Sequence, residues 1–133
     1  MKAKLMTSAI MILLIGSGFI AMQPKKPWVV PDKFIKMPNA VKSDAGTVKE
    51  GKELWIKHCQ SCHGKSGLGD GTKAAQLKTE PGNFTLAATQ QQTDGSIFYK
   101  VSEGRDDMPG FKKKLPEAED IWSIVNYIRT LKK

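Results

Sequence analysis

An all-α domain is what this sequence predicts. Three observations lead there: a strong amphipathic repeat near the C-terminus, capping signals at two further helix starts, and no convincing run of alternating residues to suit a strand. Near the C-terminus, Ile121, Ile124, Val125, Ile128 and Leu131 recur at helical spacing, with Trp122 and Tyr127 flanking. Pro116 suits the first helical position, where its missing N–H is unneeded, and Glu117, Glu119 and Asp120 complement the helix dipole. Another helix is expected from Thr47, because Thr47-Val48-Lys49-Glu50 has the S/T-x-x-E capping-box pattern. Its apolar residues are Val48, Leu54, Trp55 and Ile56. Gly51 leaves a flat spot one turn before Trp55, which implies close approach by another element. A third helix should run from Asp94 to Glu103, capped by Thr93 or Asp94 and ended by Gly104.

The 133 residues suit one small domain with appendages. With 40% apolar and 26% charged residues, wholesale disorder is excluded, and two cysteines cannot build a multi-bridge disulfide scaffold. The formal charge of +8 favours an acidic protein surface, anionic lipid or nucleic acid without choosing among them. Lys2 and Lys4 open a targeting segment, and Leu5 to Met22 is almost entirely apolar. Residues 1–22 are therefore read as a signal peptide cut near Gly18, or as an uncleaved membrane anchor, since this run just reaches the spanning length of about 17–25 residues. Either sends the rest of the chain out of the cytoplasm, to the periplasm. Residues 23–43 carry Pro24, Pro27, Pro31 and Pro38, which favour an extended linker, although Trp28, Val29, Val30 and Phe34 give it surface to pack with. The folded domain is expected over 44–133. Without Lys2 and Lys4 the charge falls from +8 to +6.

Chemistry is concentrated in Cys59-Gln60-Ser61-Cys62-His63. This is C-x-x-C-H, the attachment pattern of c-type haem, and chance would produce it on the order of once in a few thousand such chains. Two thiols three apart near a helix end reach the two vinyl groups on one haem edge and form thioethers, and the next residue, His63, is then held beneath the iron. A zinc site would need four ligands crowded between His58 and His63, against the usual widely separated pairs. A redox CxxC would want a β-α-β setting, which a helical chain lacks.

The sixth iron ligand follows by elimination. After His63 there is no other histidine and one methionine, Met108, in Arg105-Asp106-Asp107-Met108-Pro109-Gly110-Phe111. Pro109 and Gly110 stiffen and turn that loop. A core-filling Met is the competing reading, a lysine or water is the fallback ligand, and Met37 is a weaker candidate. His58 is read as an exposed neighbour facing away from the haem.

With these motifs, residues Asp44 to Lys133 resemble a class I, mono-haem cytochrome c. The match comprises Gly51 and Trp55, the C-x-x-C-H motif, Gly64-Lys65-Ser66-Gly67-Leu68-Gly69-Asp70-Gly71, Met108-Pro109-Gly110-Phe111 and the Trp122 to Tyr127 helix. The resemblance implies the cytochrome c fold, with Gly51 and Trp55 crossing Ile124 and Tyr127, and one covalently bound haem c carrying single electrons. It also implies that His63 donates its other ring nitrogen to a proline carbonyl. Thr72 stands where many relatives have that proline, and Pro81 is another option.

The expected function is a periplasmic electron carrier between redox proteins (oxidase, reductase or dehydrogenase), not an enzyme. Lys112, Lys113 and Lys114 follow the Met loop and are candidates for docking an acidic partner surface, with Lys65, Lys73 and Lys78 flanking. Nucleic acid is not expected as a partner. Two alternatives remain, a haem enzyme or sensor with an open sixth position and a subunit of a larger respiratory complex. A domain of about 90 residues buries only about 60–65% of its chain surface, so haem is needed to complete the core. Circular dichroism of the apoprotein is therefore expected to show low helicity and no cooperative melt; near-native values refute this.

Overall fold

The computed structural model describes residues 26–133, so the proposed leader lies outside the described residues. Among the described residues there are six α-helices, one 3-10 turn and no strand. The helices are α1 (Asp32–Ile35), α2 (Ala45–His58), α3 (Gln60–His63), α4 (Ala87–Gln90), α5 (Asp94–Glu103) and α6 (Ala118–Thr130), with the 3-10 turn at Ala74–Gln76. No helix among the described residues is long and apolar enough to cross a membrane.

Helix α2 starts two residues before the expected Thr47. Asp44 is the cap: its carboxylate accepts the N–H groups of Gly46 at 2.9 Å and Thr47 at 3.1 Å. The Thr47 hydroxyl accepts the Asp44 N–H, which closes a capping box one step upstream of the Thr47–Glu50 pair. A carboxylate cap is held well by the helix dipole, so Asp44 displaces Thr47 to the third helical position. Glu50 turns instead to α6 and accepts from the Ser123 hydroxyl at 2.9 Å.

The core lies where α2 meets α6. Trp55, Ile121, Trp122, Ile124, Val125 and Ile128 are buried there. A Cβ on Gly51 would stand 1.9 Å from the Ser123 carbonyl oxygen and 3.0 Å from Tyr127 Cβ. Gly51 is thus the point where the two backbones touch, and Trp55, one turn later, meets Tyr127 with ring centroids 5.7 Å apart. The Tyr127 partner is the one the resemblance implied. The residue against Gly51 is Ser123, with Ile124 fully buried beside it.

Helix α6 begins at Ala118 after an extended Glu117, so Pro116 precedes the helix instead of opening it. The chain is still finishing a turn there, because Leu115 is buried and its N–H bonds to the Phe111 carbonyl at 2.8 Å. Helix α5 has the bounds expected, with Thr93 capping the Ser96 N–H and Gly104 following. Phe98 of α5 stacks on Trp122 of α6 at 4.2 Å. The α6 end is tied to the α5 start by Arg129, whose guanidinium bonds Asp94 and the carbonyls of Gln90 and Gln92.

The proline-rich segment packs from Trp28 onward. Phe34 meets Tyr99 of α5 at 4.7 Å, and Gly95 lies directly against the Phe34 carbonyl. Asn39 donates to the buried Asn126 of α6 at 2.8 Å.

Gly51→Ala forces a Cβ into a backbone oxygen, and overpacking of this kind costs about 3 kcal/mol. Thermal melts of the holoprotein should show Tm lowered by about 10–20 °C; an unchanged Tm refutes the backbone contact.

Candidate haem site

Cys59, Cys62 and His63 share one turn. Cys59 ends α2 with its N–H bonded to the Trp55 carbonyl at 2.8 Å, and its own carbonyl accepts from Cys62 at 3.2 Å and His63 at 2.9 Å. Both cysteines are free, Cys59 buried and Cys62 half-buried. Burial pushes the Cys59 thiol up to about 12, with Cys62 adding to the rise. Redox CxxC pairs have lowered thiol pKa values, so this environment disfavours that chemistry. Among the described residues no three His, Cys, Asp or Glu side chains converge as metal ligands.

His63 is oriented by aromatic neighbours. Its ring lies 5.7 Å from Trp55 and, edge to face, 4.9 Å from Phe84. Trp55 is itself fixed, since its Nε1–H donates to the Gly64 carbonyl at 3.1 Å. His63 Nδ1 is buried without a hydrogen-bond partner. Burial lowers the ring's pKa below the ordinary imidazole value, and the backbone of Gly82 opposes that shift. A neutral ring with a buried nitrogen that no protein group satisfies suits a metal-bound histidine, since ligation needs the neutral imidazole. The residues therefore fit a haem. The Pro81 carbonyl lies close to Gly69, where a Cβ would stand 2.5 Å from its oxygen.

The glycine-rich loop after His63 folds back over α3. Gly64 has φ +81°, and a Cβ there would meet the Asp70 carboxylate, so only glycine turns the chain this sharply. Gly69, Gly71 and Lys73 then donate their N–H groups to the carbonyls of His63, Cys62 and Ser61, satisfying the short helix's open end. The Gly67 carbonyl accepts from Phe84 at 2.7 Å and so delivers Phe84 to the His63 ring.

Met108 stands on a separate loop. Arg105 and Met108 exchange two backbone hydrogen bonds, 2.8 and 2.9 Å, around a turn in which Asp106 has φ +52°. Met108 is half-buried and packs on the core. Met37 packs over Gly95 at the start of α5, whereas Met108 follows the end of that helix. Two residues that spacing did not single out also belong here: Phe84, which stands against His63, and Asp107, which binds the N–H groups of Lys78 and Thr79.

His58 is half-buried with its ring 5.9 Å from Phe111, not a free surface group. Burial, then the charges of Lys57 and Lys114, lower its pKa. The lysines divide. Lys112 pairs with Glu103 at 2.5 Å, Lys114 lies 5.5 Å from the Phe111 ring, and Lys113 is exposed. Lys65, Lys73 and Lys78 are also exposed. A cavity of about 550 Å³ is lined by Leu68, Ala74, Ala75, Pro81 and Leu86, among others. Gly82 is on its wall, and none of the four candidate haem-binding residues lines it.

A family model described as cytochrome c oxidase, cbb3-type, subunit III, matches residues 46–128, more than half of the chain. The chain belongs to that family. It is a mono-haem c-type cytochrome that binds haem c covalently and transfers electrons. Among solved structures, the KustC0563 c-type cytochrome is 32% identical, with a TM-score of 0.54, and the alignment covers 62% of this chain and 98% of that one. The Kuenenia stuttgartiensis reducing HAO-like protein complex Kustc0457/Kustc0458 shares the fold at 22% identity and a TM-score of 0.65, covering 83% of this chain and 53% of that one. Cytochrome cL from Hyphomicrobium denitrificans shares it at 24% identity and a TM-score of 0.52, covering 67% of this chain and 49% of that one. The cytochrome thus spans about half the length of these last two chains. No curated protein matches it.

Trp55→Phe keeps a ring beside His63 but removes the indole donor to the Gly64 carbonyl, which retains only the longer bond from the Gly67 N–H at 3.3 Å. The cytochrome should lose about 1–2 kcal/mol of stability with haem still attached, read by denaturant melts and haem absorbance; full stability in this variant refutes the role given to the Nε1–H.

Proposed function

We propose that this cytochrome is an exported single-electron carrier. In this reading Cys59 and Cys62 hold haem c by thioethers, His63 is the fifth iron ligand and Met108 the sixth. The observation that carries it is the single turn that brings Cys59, Cys62 and His63 together, with the His63 ring set against Trp55 and Phe84. When bound, haem c supplies one electron at a time by cycling between Fe(II) and Fe(III). The chain's part is to keep that exchange simple. Cys59 and Cys62 would each hold one side of the haem edge through a thioether. His63 stays neutral because its ring is buried, and Trp55 and Phe84 keep water from that ring. Met108, as sixth ligand, would close that position and leave no site for substrate, as a carrier requires.

Residues 1–22 serve as the signal or anchor that brings the domain to the periplasm, and 44–133 carry the haem. The +6 charge outside that leader, with Lys113 and Lys114 beside the Met loop, steers the carrier to an acidic redox partner. Lys112 contributes less, because Glu103 neutralises it. The family description favours a second reading, in which the same domain is a cytochrome subunit of a larger respiratory complex. The intact mass of protein from its native cell separates these by showing whether Leu5 to Met22 is retained.

Two measurements test the proposal. The oxidised protein should show a red-region sulfur–iron charge-transfer band; a five-coordinate, high-spin haem that binds carbon monoxide readily sinks the Met108 assignment. Electron-transfer rates to an acidic partner should fall as ionic strength rises, and charge reversal at Lys113 and Lys114 should slow them several-fold at low salt. Rates insensitive to salt overturn the docking surface.

A further inference from the structure

The Arg105–Met108 turn is held from two sides. On one, the Arg105 guanidinium lies over Trp28, 4.4 Å from the ring centroid, and donates to the Lys26 carbonyl at 3.2 Å. On the other, Asp107 reaches across 29 residues of chain: its Oδ2 accepts the Lys78 N–H at 2.7 Å and the Thr79 N–H at 3.1 Å. Those two amides lie between the 3-10 turn and Phe84, whose ring stands 4.9 Å from that of His63. One carboxylate oxygen therefore joins the loop of Met108 to the loop beside His63. The neighbouring acid does something else, since Asp106 pairs with Arg105 at 3.3 Å.

We propose that Asp107 is a positioning residue for the Met108 thioether, stapling the Met loop to residues 78–79 and so setting how firmly the sixth position is held. The proposal rests on the reading of Met108 as axial ligand. A thioether sulfur is a weak, uncharged donor, so it stays in place only if its loop does. Backbone N–H groups cannot swing away as a side-chain donor can, and an ionised acceptor makes both bonds charge-assisted. With the staple cut, the loop opens more often, and any competing ligand gains apparent affinity in proportion to the open fraction.

The test uses the full-length holoprotein and its Asp107→Ala, Asp107→Asn, Asp106→Asn and Met108→Leu variants. Haem content, the red-region sulfur–iron band and imidazole titration of the oxidised form are measured. Asp107→Ala is expected to bind imidazole about five- to tenfold more tightly than the parent, with a weaker band and unchanged covalent haem. Asp107→Asn should fall between the two, and it carries the test if the alanine variant fails to mature. Asp106→Asn should match the parent. If cutting the staple lowers Tm but leaves imidazole affinity and the band at parent values, while Met108→Leu abolishes the band, Asp107 is only structural and the proposal is overturned. If Met108→Leu keeps the band, the ligand reading itself falls, and the staple with it.

Discussion

The backbone contact between α2 and α6 at Gly51 is the constraint from which the haem site follows. With no side chain at Gly51, the Ser123 carbonyl comes against the α2 backbone, and Trp55 one turn later is pressed into the core against Tyr127. A buried indole must satisfy its N–H, and the available acceptor is the Gly64 carbonyl, immediately after the C-x-x-C-H turn. The same indole forms one wall for the His63 ring. A helix crossing thus sets the orientation of an imidazole twelve residues away in the chain. Order around His63 is local because it descends through a single helix end.

The Met108 loop is built differently. Met108 sits on a turn beyond α5, and its position depends on groups distant in sequence: Trp28 and Lys26 through Arg105, and Lys78 and Thr79 through Asp107. Helix α5 is itself a fixed strut, with Arg129 and Asp94 locking its start and Phe98 stacked on Trp122. The segment before α2 therefore does more than tether the domain. By covering Arg105 and Gly95 it completes both ends of the strut that carries the Met loop.

Local chemistry was legible in the sequence because it depends on close spacing. A turn that places Cys59, Cys62 and His63 together needs no partner to define it, the bounds of α5 follow from Thr93 and Gly104, and the apolar repeat marks α6. Misplacements came where two local signals competed. Asp44 and Thr47 are both good caps, and the choice went to the carboxylate, which binds two N–H groups at once. Pro116 suited a helix start, but the burial of Leu115 held the chain one turn back.

By itself, then, the sequence determined that this is a helical, covalently haem-bearing electron-transfer domain, since attachment motif, helix periodicity and charge are all short-range properties. Only the tertiary structure decided that the Trp55 indole bonds the Gly64 carbonyl, that Phe84 lies against the His63 ring, that His58 is drawn onto Phe111, and that Asp107 links two loops 29 residues apart. The physical reason is common to all four. Each depends on where a loop is carried by the packing of α2, α5 and α6, and no spacing along the chain encodes that distance.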